Sequence, residues 1–213
     1  MNQNENLKFK LIYFEERGKS DLIKLLLSYL NQTYEDIKIK PNDWNYYKCY
    51  MPFESLPVLV INDNLKLCQA ITISRFLAKH FNLNGSNEIE AIECDMIVEQ
   101  LRECADHSAQ INQENDLNKR NLLASKFLND VLPKTLAGLE KILSLNSSKY
   151  VVGDKLTWAD LALVNAWEWL DSSSKQMLNF YPFVKAHNEF IRNIPKISEW
   201  FKSQKPLRVF KNV

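Results

Sequence analysis

Tyr13 closes the apolar run Leu7-Lys8-Phe9-Lys10-Leu11-Ile12-Tyr13-Phe14, where a first strand should stop, and the turn Glu15-Glu16-Arg17-Gly18-Lys19 then leads into a helix. Open α/β sheets bind ligands at the carboxyl ends of their strands, so a phenol there can aim its O–H at a bound molecule. The same third of the chain carries further ligand-facing candidates. Trp44 and Lys48 lie four apart, Pro57 precedes the apolar run Val58-Leu59-Val60-Ile61, and Gln69 stands just before a second helical pattern. Singly, each has an ordinary explanation: a packed tyrosine, a loop aromatic, a solvated lysine, a strand-start proline, a helix-entry glutamine. Their joint occurrence is what points to a ligand site.

Composition removes several other classes. Lys and Arg total 27 against 26 Asp and Glu, a net charge of +1, which offers no electrostatic steering toward nucleic acid or a bilayer. Apolar runs such as Leu25-Leu26-Leu27 are far too short to span a membrane. The start of the chain, Met1-Asn2-Gln3-Asn4-Glu5-Asn6, is polar and has no apolar signal core, so a cytoplasmic location is expected. Cys49, Cys68, Cys94 and Cys104 include no pair two residues apart, and a reducing compartment keeps them as thiols. His80, His107 and His187 are scattered, without Cys or carboxylate partners at ligand spacing, so no metal is expected.

The elements that must position these residues follow from periodicity. Residues 8–14 and 34–39 read as strands, and residues 20–31 as a helix with Ser20 as N-cap and Ile23, Leu26, Leu27 and Leu30 on one face. Val58–Ile61 and Leu65–Cys68 read as a hairpin about Asn62-Asp63-Asn64, and a helix runs from Ala70 to about Phe81. That is βαβ followed by ββα, a four-stranded sheet with helices on it. The polar stretch 83–87 then reads as a linker between a first domain, 1–82, and a second, 88–213. Beyond it the pattern is helical throughout, over 88–113, 118–144, 157–171, 182–193 and 195–203. Thr157 and Asp160, three apart before Leu161-Ala162-Leu163-Val164, form a capping-box-like start in which Asp stands for the usual Glu.

The fold class expected is therefore α+β: an N-terminal thioredoxin-like βαβ-ββα domain followed by an all-α helical-bundle domain. The stretch Met51-Pro52-Phe53-Glu54-Ser55-Leu56-Pro57-Val58-Leu59 resembles the glutathione-binding loop of cytosolic glutathione transferases. The wider pattern resembles their sigma class, which includes the glutathione-dependent prostaglandin D synthases. It comprises Tyr13-Phe14-x-x-Arg17-Gly18, Tyr34-Glu35-Asp36, Trp44-x-x-x-Lys48, Gln69, Arg75-Phe76-Leu77 and Leu156-Thr157-Trp158-Ala159-Asp160.

The resemblance implies a homodimeric detoxification enzyme that conjugates glutathione, as co-substrate, to small hydrophobic electrophiles. Tyr13 donates its O–H to the glutathione sulfur and favours the thiolate, the nucleophilic form. Leu56, before a cis Pro57, pairs with the peptide backbone like an added strand. Trp44 and Lys48 hold the glycyl carboxylate, while Gln69 and Ala70 receive the γ-glutamyl end at a helix N-terminus. Phe14, Lys19 and Ser55 complete the glutathione-binding set. Glu103 of a partner subunit meets the γ-glutamyl amine, and Phe53 inserts into that partner. Glu16, Gly18, Ala105 and Ala166 border the second substrate.

The chain departs from the family pattern in places. Ala70 stands where a serine usually binds the γ-glutamyl carboxylate; a lost hydrogen bond to a charged group costs about 1.5–3 kcal/mol. Lys19 replaces an arginine, keeping charge but losing the planar fork. Glu54 and Ser55 replace other residues in the binding loop. Arg102 replaces an acidic residue at the dimer interface, against a shared divalent site there. Gln110 falls where vertebrate prostaglandin D synthases carry a tryptophan, which sets the isomerase reading below conjugation. A non-catalytic binding or structural relative is the remaining alternative.

Overall fold

The computed structural model describes residues 7–170 and 172–205, with side chains for all of these except 172–174. Residues 7–84 and Lys196–Lys205 form one compact unit, and Gly85–Pro195 a second.

The first unit contains β1 (Phe9–Phe14), α1 (Asp21–Tyr29), β2 (Tyr34–Ile39), α2 (Trp44–Tyr47), β3 (Val58–Ile61), β4 (Leu65–Cys68) and α3 (Ala70–His80). The strands form a mixed sheet in the order β2-β1-β3-β4, with β1 parallel to β2 and antiparallel to β3. Alternation along β1 sends Ile12 and Phe14 to one face and Phe9, Leu11 and Tyr13 to the other. Ile12, Ile39, Val58 and Val60 form a core on the first face, against which Phe14, Trp44, Met51 and Leu56 pack. The second face is covered by α1 and α3, whose Ile23, Leu26, Leu27, Ile73 and Leu77 are fully buried. With both its faces covered, β3 is buried at every position, as its unbroken run Val58-Leu59-Val60-Ile61 requires. Asn62 and Asp63 turn the β3–β4 hairpin at φ of 51° and 58°, a region that these two residue types tolerate.

Two details of this unit differ from the periodicity reading. Ser20 occupies the N-cap position of α1, but its backbone is already helical (φ −84°, ψ −8°) and its hydroxyl makes no capping bond. The neighbouring carboxylate takes over, with Asp21 Oδ1 accepting the Gly18 N–H at 3.0 Å. Between β2 and β3, where no element is expected, the chain coils through α2 and the 3₁₀ turns Pro41–Asp43, Lys48–Tyr50 and Pro52–Glu54. Turns this short carry no amphipathic period, yet they lay Trp44 and Met51 onto the sheet.

The second unit contains α4 (Glu88–Gln113), α5 (Leu117–Lys126), α6 (Leu132–Leu145), α7 (Trp158–Glu168), α8 (Ser172–Met177) and α9 (Pro182–Arg192). Asn87 caps α4 and Asp116 caps α5, each through a side-chain oxygen 3.0 Å from an N–H three residues on. The single helix expected over 118–144 is interrupted at Phe127–Val131 by a π-helical turn. Pro133, in the first turn of α6, has no N–H to donate into a preceding turn, and the wider spacing accommodates it. Asn129 Nδ2 donates to the Ser125 carbonyl at 2.9 Å within the same stretch. Helix α7, packed by α4 and α9, is buried along most of its length. The helix expected over 157–171 ends at Glu168, with Trp169 as its C-cap; residue 171 lies outside the described residues, as do 1–6 and 206–213. The last helix, α10 (Pro195–Ser203), places Trp200 of the first unit under the Arg17 guanidinium, 5.8 Å from the ring centroid. Among the described residues, no helix is long and apolar enough to cross a membrane.

Candidate glutathione site

Strand register gathers the candidates at one end of the sheet. Ile12 of β1 lies opposite Val58 of β3, which lies opposite Cys68 of β4. Tyr13, Pro57 and Gln69 are each the next residue toward that same end. Phe14 pairs with Ile39 at the end of β2, and the chain then turns into α2, which begins with Trp44. Four separate stretches of sequence thus converge on the carboxyl edge of β1.

Tyr13 is 8% exposed, and its Oη accepts the Lys19 N–H at 3.0 Å. Gly18 lies so close that a Cβ on it would stand 2.5 Å from that oxygen, so the phenol's position depends on a glycine there. Burial pushes the phenol above its usual pKa; the Lys19 N–H draws it part way back, and the Asp21 and Glu16 carboxylates push it up again. It is therefore protonated at neutral pH, with one lone pair already occupied and its own proton available to a ligand.

The neighbours are held by packing. Phe14 meets Tyr13 edge-on at 5.7 Å between centroids and Trp44 at 5.6 Å, an aromatic ladder that ties the strand end to α2. Lys48 follows Trp44 by one turn, and both are half-buried. The Leu56–Pro57 bond is cis. Pro57 is buried, and the Ser55 hydroxyl makes a long 3.5 Å contact to the Pro52 carbonyl. Lys19 and Glu16 are exposed beside the Tyr13 loop.

Gln69 has φ 70° and ψ 114° at the N-cap of α3, outside the regions a side-chain-bearing residue favours. Its side chain is exposed and makes no capping bond, while its carbonyl accepts the Ile73 N–H at 2.9 Å. Strained residues persist where surrounding structure over-determines them, and they cluster at ligand clamps. Ala70 is the first residue of α3, so its N–H belongs to the unpaired first turn that attracts anions. The cleft of about 280 Å³ in this unit, lined by Ser28, Asn31, Lys196 and Glu199, touches none of these residues.

The remaining candidates belong to the helical unit. Glu103 and Ala105 are exposed on α4, and Ala166 is half-buried on α7. Glu103 borders a cleft of about 510 Å³ whose lining includes Met96, Gln100, Lys134, Thr135 and Gly138. Among the described residues, no group of three or more His, Cys, Asp or Glu side chains could hold a metal ion.

Sequence reasoning passed over Asp21, which accepts the Gly18 N–H and the Arg17 Nε at 2.9 Å inside the Tyr13 loop. The signal was present: Arg17 and Asp21 have the i,i+4 spacing of a helical ion pair, with the acid in the first turn.

A thioredoxin-like sheet with a phenol at its carboxyl edge and a helix N-terminus beside it, joined to an all-α unit, defines a class of glutathione-dependent transferases. Two family models match: "Glutathione S-transferase, N-terminal domain" over residues 9–79 and "Glutathione S-transferase, C-terminal domain" over residues 103–204. The chain is 36% identical over 208 residues to a glutathione S-transferase of Plasmodium falciparum, covering 92% of this chain and 95% of the relative. It is 30% identical over 194 residues to the hematopoietic prostaglandin D synthase of Rattus norvegicus, covering 90% and 94%. A crystal structure of a monomeric glutathione S-transferase from the hookworm Necator americanus superposes with a TM-score of 0.85 at 31% identity, over 94% of this chain and 99% of that one. The chain belongs to the glutathione S-transferase family. It is an enzyme that uses glutathione as co-substrate.

Proposed function

We propose that this transferase joins the glutathione thiolate to small hydrophobic electrophiles, with Tyr13 as the residue that stabilises the thiolate. The observation that carries the reading is the Tyr13 hydroxyl, which accepts from Lys19 at 3.0 Å and keeps its own proton to donate. A donor aimed at sulfur stabilises the charged form and lowers the thiol pKa. The thiol proton leaves to solvent, the sulfur lone pair forms a C–S bond, and the electrophile's leaving group departs with its bonding electrons. The Trp44 indole and the Lys48 ammonium take the glycyl carboxylate, with Phe14 fixing Trp44. The Leu56 backbone, ahead of Pro57, meets the cysteinyl unit. Gln69 and the Ala70 N–H take the γ-glutamyl carboxylate, with Lys19 and Ser55 at the rim. Without a hydroxyl at Ala70, glutathione binds about ten- to a hundredfold more weakly than it would to a serine there. Glu16 and Gly18 lie on the electrophile's side of Tyr13.

The active form in this reading is a sigma-class homodimer in the cytoplasm. Phe53 is 85% exposed, and α4 presents Ile89, Ile92 and Met96 to solvent at i, i+3 and i+7, an apolar stripe continuous with the cleft beside Glu103. A second copy that covers the stripe also brings its Glu103 to the γ-glutamyl amine. Sedimentation of wild type and Phe53→Ala tests this part; a wild-type monomer overturns it.

The test of the activity is conjugation of glutathione to an aryl halide, followed with and without enzyme over a range of glutathione. Saturable turnover supports the reading. Glutathione binding without turnover of aryl halides or other small electrophiles would leave a non-catalytic relative in its place.

A further inference from the structure

Tyr13 can direct its proton outward only while the Lys19 N–H holds its oxygen, and Lys19 lies in a turn with no secondary structure of its own. The turn is fixed by one buried side chain. Asp21, 2% exposed, accepts the Gly18 N–H on Oδ1 at 3.0 Å and the Arg17 Nε on Oδ2 at 2.9 Å. Its own N–H donates back to the Gly18 carbonyl at 2.9 Å, so Gly18 and Asp21 are locked together in both directions. Arg17 is anchored in turn, through Nη1 to the Lys205 carbonyl and through its face over Trp200. Gly18, between Arg17 and Lys19, is also the residue that leaves room for the phenol oxygen.

We propose that Asp21 is a positioning residue for the transferase reaction: by clamping Gly18 and Arg17 it holds the Lys19 N–H on Tyr13 Oη and so aims the phenol proton at the glutathione sulfur. The inference rests on Tyr13 as the thiolate-stabilising donor. Asp21 does not touch the substrate. It acts through the orientation of one hydrogen bond, which a charge-assisted acceptor fixes more firmly than a neutral one. A merely structural aspartate would change stability and leave the thiol's acidity alone; a positioning aspartate moves the thiol.

The experiment is an ultraviolet titration of the thiolate in the enzyme–glutathione complex, with kcat and KM measured alongside. Asp21→Ala is expected to raise the apparent thiol pKa by about one unit and to lower kcat at neutral pH about tenfold, with the KM for glutathione changed less than about twofold. The isosteric Asp21→Asn keeps an oxygen for the Gly18 N–H and should shift the thiol in the same direction by less, so the test survives if the alanine variant fails to fold. In a Tyr13→Phe background, Asp21→Ala should add little, because both act through one bond. A lower kcat with an unshifted thiol, or a full Asp21 effect without the Tyr13 hydroxyl, overturns the proposal. If Tyr13→Phe alone leaves the thiol unshifted, the phenol's role fails first, and this inference fails with it.

Discussion

Each unit of this protein contains a small buried polar cluster at the start of a helix, and the two clusters differ in what they leave unpaired. In the helical unit, Asp160 accepts the Thr157 N–H at 2.7 Å, the Thr157 hydroxyl at 3.0 Å and the Val151 N–H at 2.8 Å, and lies 2.8 Å from His187 Nε2. Every oxygen of that carboxylate is committed inside the fold, and the ring nitrogen this cluster leaves without a partner, His187 Nδ1, is buried away from any ligand. At the head of α1, Asp21 is similarly committed to Gly18 and Arg17, but the group it supports is not: Tyr13 accepts one bond and retains a proton. A closed cluster fixes structure, whereas a cluster that ends in an unspent donor at a sheet edge presents chemistry to a ligand. Both begin with the same device, an aspartate near a helix start, so the local motif alone does not tell them apart.

The largest effect that would sharpen this contrast is Asp160→Ala. It strands two backbone N–H groups and His187 in the interior, and breaking such a buried arrangement costs about 3–5 kcal/mol. Chemical denaturation should show that loss, while the folded fraction keeps the wild-type thiol pKa for bound glutathione. A shifted thiol would mean that the closed cluster is coupled to the open one.

Gly18→Ala should do the reverse. The new Cβ would meet Tyr13 Oη at 2.5 Å, so the phenol must move. A fall in kcat of about a hundredfold, in the range for a misplaced transition-state donor, is expected with a stability change near 1 kcal/mol. Wild-type kcat in this variant would show that the close approach of Gly18 does not fix the phenol.

Ala70→Ser adds a hydroxyl to the open site and should tighten glutathione about ten- to a hundredfold by calorimetry, with kcat nearly constant. Unchanged affinity would remove the γ-glutamyl carboxylate from the N-terminus of α3.

The smallest effect concerns Cys94, which lies beside Thr157 and Asp160. Burial pushes its thiol from 9.0 up to about 11. Its folded-state pKa is raised, so its contribution to stability is fully present below pH 9.0 and is lost as pH climbs toward about 11. Cys94→Ala should therefore lose less melting temperature than wild type across that window, although it is less stable at neutral pH because of the cavity. Parallel curves would show that this thiol ionises equally in the folded and unfolded states.

Much of the architecture is legible locally. The alternation of β1, the unbroken apolar run of β3, the Asn62-Asp63 hairpin and the Thr157–Asp160 box each follow from neighbours within a few residues. The turns over 41–54, the π turn at Phe127–Val131 and α8 do not, because they are too short for a period and depend on what they pack against or on a single proline. The candidate site divides in the same way. Tyr13, Trp44 and Gln69 stand out as types in a pattern, but their gathering at one sheet end comes from pairing across about fifty residues, from Ile12 to Val58 to Cys68. The positive φ of Gln69 is set by the β4–α3 junction and leaves no trace in residue type. Asp21 left a trace, its spacing from Arg17, yet an i,i+4 pair is so common on helices that only the contact with Gly18 gives it meaning.

The central claim is that the open cluster exists to lower the pKa of a bound thiol through one phenol. Titrating the ultraviolet absorbance of the thiolate in the glutathione complex of wild type and Tyr13→Phe tests it directly. The account predicts a wild-type thiol well below the ordinary value of about 8.5 and a Tyr13→Phe thiol raised by about two units, with kcat at neutral pH falling in step. Equal thiol pKa values in the two proteins would contradict it.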